Sequence, residues 1–529
     1  MRHLAIPASI LTLGLLAPLS AQQDRLDSGL DPAAPATPVF VRLVDQVLPA
    51  GPDFAAFCRK HADAKRRTLR VEVVTALRQK SAAGQRRLAK LLESLGDGVR
   101  DVQPYWIVNG FGCMATGKAC QALAQHEAVA FVYRKPPRVP ALHHIPPRRK
   151  ASMEELKPLA ERALAELAAA EKQPFPALDT LTPTWNLTRI KADAAWRTGA
   201  LGNGVTVAIM DSGLLPVAPL LQALWRNPKE KLDGKDDDGD GFVDDLFGYD
   251  FVRDTGISIG DAPTSHGTMC AGIIAGRPTK VGDKLMVTGI APQARLMVLR
   301  GMGVLRAYEY ALAHDADVVS MSYMWVGIEL GNWRGIYRLA HEHLAIAGVV
   351  SVGGAGNFGP GSRRRAPPGK QICLPKDIPC VIAAAGLDKR DKLPGFSSQG
   401  PCSWKGVRFY DDYGPDQPLL KPDVTAFATG YPVWNGIGKS RPPGWRVVHD
   451  AGNRLGLVVG PQGNSFSGPH AAGVAALMLS ANPDLLAWQV KERMENTCKD
   501  LGEKGRDAKY GAGLLDAAAA VQAARGPAK

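Results

Sequence analysis

The sequence predicts an α/β protein: a doubly wound, mostly parallel sheet preceded by a small α+β domain. Across residues 184–525, short and continuously apolar runs alternate with helical stretches, the pattern of strands covered on both faces by crossover helices. Before residue 135 the order is helix, strand, helix, strand, enough for a small unit of its own. A chain of 529 residues exceeds one ordinary domain, and its 45% hydrophobic and 22% charged content is that of a globular protein.

Taken in order, Met1-Arg2-His3 and the apolar run to Ala21 read as a secretory signal peptide, 1–21. The Pro/Ala/Asp-rich stretch 22–37 reads as a spacer. Within a domain spanning 38–135, apolar residues at three- and four-residue intervals predict a helix over 66–95. V-Q-P-Y-W-I-V-N-G-F (102–111) reads as a strand, A-C-Q-A-L-A-Q-H-E (119–127) as a helix and A-V-A-F-V-Y-R (128–134) as a closing strand. Residues 136–183 read as a linker: its first part has many prolines and no acids, a natural place for proteolytic nicking, and 151–171 is expected as an exposed amphipathic helix.

In the large body, strands are expected at 204–211, 295–300, 317–322, 347–354 and 381–386. Helices are expected at 266–276, 307–314, 333–344 and 468–480. Functional residues of such a sheet gather where strands end and helices begin.

The formal charge of +13 is unevenly placed. Residues 22–150 carry 21 Lys+Arg against 11 Asp+Glu, whereas 151–529 carry 42 against 40. With the excess confined to the N-terminal unit and no recognition motif beside it, no nucleic-acid partner is expected. No later apolar run is long enough to cross a bilayer, so an exported (secreted or periplasmic) protein without a membrane span, and a monomer, is expected. Of the eight cysteines, the spacings 113–120 and 373–380 suit small disulfide loops, but pairing is not legible in sequence. Cys270, one turn after His266 in an apolar segment, is expected as a buried free thiol.

Three segments carry chemistry: V-A-I-M-D-S-G ending a strand at Asp211, S-H-G-T-M-C-A-G opening a helix at His266, and G-N-S-F-S-G-P-H around Ser465. Singly, each has a plain reading: a strand-ending carboxylate, a capping histidine, a serine N-cap. Jointly they supply a nucleophile, the base that activates it and the carboxylate that orients the base. Asn357, in G-G-A-G-N-F-G after a strand, adds a side-chain amide able to donate to a developing oxyanion.

These motifs, in the order Asp, His, Ser, resemble the subtilisin-like serine proteases (subtilases), as do W-N-L-T-R-I-K-A-D-A-A-W (185–196) and Y-G-A-G-L-L-D-A-A-A-A-V (510–521). The resemblance implies a subtilisin-like fold over 184–525 and a serine endopeptidase acting on protein or peptide substrates. It implies a triad of Asp211, His266 and Ser465, Asn357 as oxyanion donor, and a substrate cleft at Ser322, Tyr323, Met324 and Gly354. Cys270 resembles the proteinase K branch, where a thiol lies beneath the catalytic histidine. Y-W-I-V-N-G-F and Q-A-L-A-Q-H-E-A-V-A-F-V-Y resemble the family's inhibitory propeptide, which implies a ferredoxin-like prodomain, a zymogen, and the protein's own propeptide as a partner.

The chain also departs from the family pattern. Asn464 and Phe466 flank the nucleophile where threonine and methionine are usual, and bear on rate or leaving-group space. Met324 stands where the cleft normally has glycine; either it narrows the pocket or the local loop moves aside. The rival to an enzyme is a binding protein on the same fold that has lost turnover. Finally, D-G-K-D-D-D-G-D-G-F-V-D-D places Asp236, Asp238, Asp240 and Asp244 as ligands for a structural calcium ion, with no glutamate to complete an EF-hand; the other reading is a solvated acidic turn.

Overall fold

Residues 25–137, 153–260, 266–437, 442 and 444–526 are described by the computed structural model. The N-terminal unit is built from β1 (Thr37–Leu43), α1 (Gly51–Lys60), α2 (Arg66–Leu95), β2 (Val99–Tyr105), β3 (Gly110–Ala115), α3 (Gly117–Gln125) and β4 (Val129–Arg134). Its four strands form an antiparallel sheet in the order β2-β3-β1-β4, so each β-α-β crossover skips one strand position.

The expected strand 102–111 is two strands, turned at 106–109, and β1 and α1 lie where no element was expected. The expected spacer is packed. The Asp27 amide donates to the Val132 carbonyl at 3.0 Å, the Val132 amide to the Arg25 carbonyl at 2.9 Å, and Leu30 is buried. Because β4 is an edge strand, this segment satisfies backbone groups that would otherwise stay open. The signal peptide and residues 138–152 of the linker, with their expected nicking site, lie outside the described residues.

Helix α4 (Met153–Glu171) corrects a second expectation: it is docked, not exposed. Leu156, Ala160, Ala163 and Leu167 repeat at three- and four-residue spacing and are buried in the core of the large body. The same spacing that made the helix legible supplies the stripe that buries it.

The large body contains β5 (Thr206–Asp211), β6 (Gly248–Asp250), α5 (His266–Ala275), β7 (Arg295–Arg300), α6 (Leu305–Ala313), β8 (Val318–Met321), α7 (Arg334–Ile346), β9 (Val350–Gly354), β10 (Ile382–Leu387), β11 (Val424–Phe427) and α8 (Asn464–Ala481). The strands form one sheet in the order β11-β10-β9-β8-β5-β7-β6, with every pairing parallel. Residues of α5 and α8 fill the core on one face and residues of α6 and α7 the core on the other, which makes the sheet doubly wound. The chain reverses its direction of winding at β5, and the carboxyl ends of β5, β8 and β9 open beside one another there.

The N-terminal unit sits on α6 and α7. Phe40, Phe131 and Tyr133 share a core with Trp333 and Tyr337, and the Tyr133 and Trp333 rings meet edge-on at 6.4 Å. Arg66 pairs with Asp317 at 2.6 Å with both side chains buried, and Glu309 accepts from the Ile107 amide at 3.0 Å. All eight cysteines are free thiols, so neither 113–120 nor 373–380 is bridged.

Candidate active site

Asp211 is the last residue of β5 and is buried, with one carboxylate oxygen accepting from the Ser212 amide at 2.7 Å. His266 opens α5, and its Nδ1 lies 2.8 and 2.9 Å from the two Asp211 oxygens. A carboxylate can only accept, so Nδ1 carries the proton and Nε2 is left as the acceptor. The start of α5 is tied to the turn after Asp211: the Gly267 amide donates to Ser212 Oγ at 3.0 Å, and the Leu215 amide to Thr268 Oγ1 at 2.8 Å.

Burial opposes ionisation of both partners, but the pair overcomes it. Burial raises Asp211, yet the His266 charge and hydrogen bond and the Ser212 amide hold its carboxyl below the ordinary value. Burial lowers His266, yet the charge and hydrogen bond of the Asp211 carboxylate hold it above the ordinary value. Cys270 is itself pushed up by burial, so it stays a neutral thiol and Asp211 is the anion that stabilises imidazolium.

Ser465 is the second residue of α8, at a helix end where amides lack intrahelical acceptors and the dipole favours negative charge. Its carbonyl accepts from Ser322 Oγ at 2.8 Å and faces Cys270 Sγ at 3.4 Å; Cys270 Sγ is 3.9 Å from His266 Nδ1. The thiol therefore lies against both His266 and the Ser465 backbone. The Phe466 ring is buried and stacked near the imidazole, with centroids 6.2 Å apart and planes at 25°. Among the described residues the Ser465 hydroxyl has no hydrogen-bond partner, the loose arrangement common before substrate tightens a site.

Asn357 follows β9. Its Oδ1 accepts from the Asn464 amide at 2.7 Å, which turns Nδ2 outward beside the first turn of α8. Asn464 is buried and faces away from any leaving group; its Nδ2 donates to the Gly356 carbonyl at 2.8 Å and to Ser397 Oγ at 3.0 Å. Asn464 thus braces the loop that carries Asn357, a role its type alone did not announce.

The expected cleft residues divide. Ser322 touches the Ser465 backbone. The Tyr323 side chain turns inward, its hydroxyl on the Tyr308 hydroxyl and 3.3 Å from Met210 Sδ, so only its backbone borders the cleft. A Cβ on Gly354 would collide with the Asn464 carbonyl, so this glycine seats the nucleophile turn; the bare α-carbon facing Met324 is that of Gly356.

The acidic loop also divides. Asp236 and Asp238 converge with Glu230, and Asp238 and Asp240 with His314, whose Nε2 is 3.1 Å from Asp240. Asp244 instead accepts from the Asp233 and Gly234 amides at 2.9 and 3.0 Å and belongs to neither group. Glu230 and His314 were missed in sequence; an acid six positions before Asp236 was the available signal for the first, while His314 arrives from a separate helix end.

The sequence profile of the subtilase family matches residues 202–513. The chain is 25% identical over 368 residues to the minor extracellular protease Epr of Bacillus subtilis, a match covering 66% of this chain and 44% of Epr. It is 26% identical over 395 residues to a thermostable alkaline protease of Halalkalibacterium halodurans, covering 73% of this chain and 84% of that protein. Against subtilisin DY of Bacillus licheniformis it is 26% identical over 352 residues, covering 64% of this chain and 99% of the relative. The match thus spans less than half of Epr and nearly all of subtilisin DY.

Proposed function

This chain belongs to the subtilase family, and from that premise we propose that it is an exported serine endopeptidase made as a zymogen. The observation that carries the reading is the buried Asp211 carboxylate gripping His266 Nδ1 at 2.8 and 2.9 Å, with the Cys270 thiol lying against both His266 and the Ser465 carbonyl at the start of α8. Ser465 Oγ attacks the scissile carbonyl while His266 Nε2 takes its proton. The tetrahedral oxyanion accepts from Asn357 Nδ2 and from the first-turn amide of Ser465. Collapse expels the amine with the proton held by His266, and water then hydrolyses the acyl-enzyme by the same base. The 322–324 edge aligns the peptide. A complete set of groups, with Asp211, His266 and Asn357 each held by side-chain hydrogen bonds, favours turnover over a silent binding protein. Labelling of the protein by a peptidyl phosphonate, with the adduct mapped to Ser465, tests the reading; no adduct at Ser465 under conditions that label a subtilisin would overturn it.

Asn357→Ala is expected to lower kcat by about 10²–10³-fold with KM nearly unchanged, because the amide meets charge that exists only in the transition state. A rise in KM with kcat intact would make Asn357 a substrate contact instead.

The N-terminal unit serves as the inhibitory propeptide. Its support is the apolar and ion-paired seat on α6 and α7 and the basic, proline-broken chain that follows it. Export rests on the signal-like N-terminus and on one relative named as extracellular, Epr, and no helix among the described residues is long and apolar enough to cross a membrane.

A structural calcium ion belongs to the same reading. Glu230 Oε2 and Asp238 Oδ1 are buried without hydrogen-bond partners among the described residues, and anionic oxygens in that condition suit a hard cation. Glu230, Asp236 and Asp238 would hold it; the ion would offset their mutual repulsion and pin the loop. With calcium about 100-fold above Kd, binding contributes about 2.7 kcal/mol, so a chelator should lower Tm by several degrees, and Asp238→Ala should blunt the response. An unchanged melting curve on chelation returns the loop to a solvated acidic turn.

A further inference from the structure

We propose that this protein cuts after residues with small side chains (glycine, alanine or serine), because Met324 fills the space that the side chain before the scissile bond would enter. The inference rests on the endopeptidase reading above. A carbonyl attacked by Ser465, with its oxygen at Asn357 Nδ2, has its own α-carbon one bond away. That residue's side chain must therefore project beside Gly356 and toward the facing edge at 322–324.

The two edges are in register. β8 and β9 pair Met321 with Gly353, so three residues further on Met324 stands opposite Gly356. A Cβ on Gly356 would lie 2.7 Å from Met324 Sδ and 3.0 Å from its methyl carbon, which means that the thioether crosses the gap and rests against the bare α-carbon. Gly356 has φ +118°, a conformation that L side chains rarely adopt, so the wall opposite Met324 offers no side chain of its own.

The 322–324 segment has not moved aside to make room. Ser322 Oγ holds the Ser465 carbonyl at 2.8 Å, the Trp325 amide donates to the Leu374 carbonyl at 3.1 Å, and the buried Lys376 ammonium donates to the Tyr323 carbonyl. The Lys376 stem also fills the space beside Gly353, where a Cβ would strike its Cε. Met324 also borders a cleft of about 1130 Å³ whose apolar wall includes Trp325, Ile328, Phe358, Ile372 and Leu374. Asn357, His266 and Ser465 do not line it. Met324 thus lines this cleft on one side and rests against Gly356, the residue before Asn357, on the other.

The test compares succinyl-Ala-Ala-Pro-Ala-p-nitroanilide with the Phe analogue, using matured protein expressed as the full chain. The wild type should favour Ala by at least about 100-fold in kcat/KM, since a filled pocket rejects a large group through steric overlap. Met324→Gly should shift the Ala/Phe ratio toward Phe by about 100-fold, and Met324→Ala should shift it in the same direction by less. Cleavage sites in wild-type digests of denatured casein should carry small residues before the cut, a readout that needs no variant to fold. Phe cleaved as well as Ala by the wild type, or large residues dominating the casein sites, overturns the inference while leaving the endopeptidase reading intact. So does an unchanged ratio in both variants when they retain the wild-type melting temperature. No hydrolysis of either peptide or casein, together with no phosphonate adduct, overturns the endopeptidase reading itself.

Discussion

Ser465→Ala is expected to lower kcat on the order of a million-fold and to abolish phosphonate labelling, while the protein melts as the wild type does. The size follows from the mechanism: without Oγ no acyl-enzyme forms, and His266 has no proton to move. What remains is the background from Asn357 and the helix amide, which can still stabilise attack by water. The fold should survive because the Ser465 hydroxyl has no hydrogen-bond partner among the described residues; its backbone carbonyl, held by Ser322, is unaffected. If maturation is autocatalytic, the same variant should accumulate as the full-length chain with its N-terminal unit attached. Peptide hydrolysis by Ser465→Ala at wild-type rate would remove Ser465 as the nucleophile.

Asp211→Asn is expected to lower kcat by about 10⁴-fold at neutral pH. One Asp211 oxygen already accepts from the Ser212 amide at 2.7 Å, which favours presenting the new amide NH₂ to His266. An NH₂ donating to Nδ1 forces the imidazole proton onto Nε2, the atom that must accept from Ser465. The pH profile supplies a second readout. In the wild type the Asp211 anion holds the His266 pKa above its ordinary 6.5, so the neutral base is lost as pH falls through that raised value, and kcat/KM should fall about tenfold per unit below it. Removing the anion should move this acid limb to lower pH. A loss smaller than tenfold, with the acid limb unmoved, would mean that Asp211 neither orients His266 nor tunes it.

Much of the fold was legible because the body is a parallel sheet. Its strands are buried on both faces and read as unbroken apolar runs: 295–300 matches β7 end to end, and 204–211 and 381–386 overlie β5 and β10. The four chemical groups were legible for a related reason. Each sits where a strand ends or a helix begins, and glycines and small residues mark those places. The N-terminal unit was harder. β1 has Pro38 near its start and the buried Arg42 within it, so it lacks a clean period, and 25–36 resembles a spacer until β4 offers an edge to cover.

By itself, then, the sequence determined which residues could do acyl-transfer chemistry and the elements that would present them, since both depend on local patterns of a few neighbouring residues. The tertiary structure decided everything that depends on what lies across a gap. It docked α4 through a stripe whose partner is remote in the chain, and it turned Asn464 inward to brace the Asn357 loop. It drew Glu230 to the acidic loop and sent Asp244 to backbone amides. It also set Met324 against the bare α-carbon of Gly356, because a methionine meets a glycine across a gap only if its own segment is held in place, and the bonds that hold 322–325 come from two remote parts of the chain, Leu374 with Lys376 and the Ser465 carbonyl.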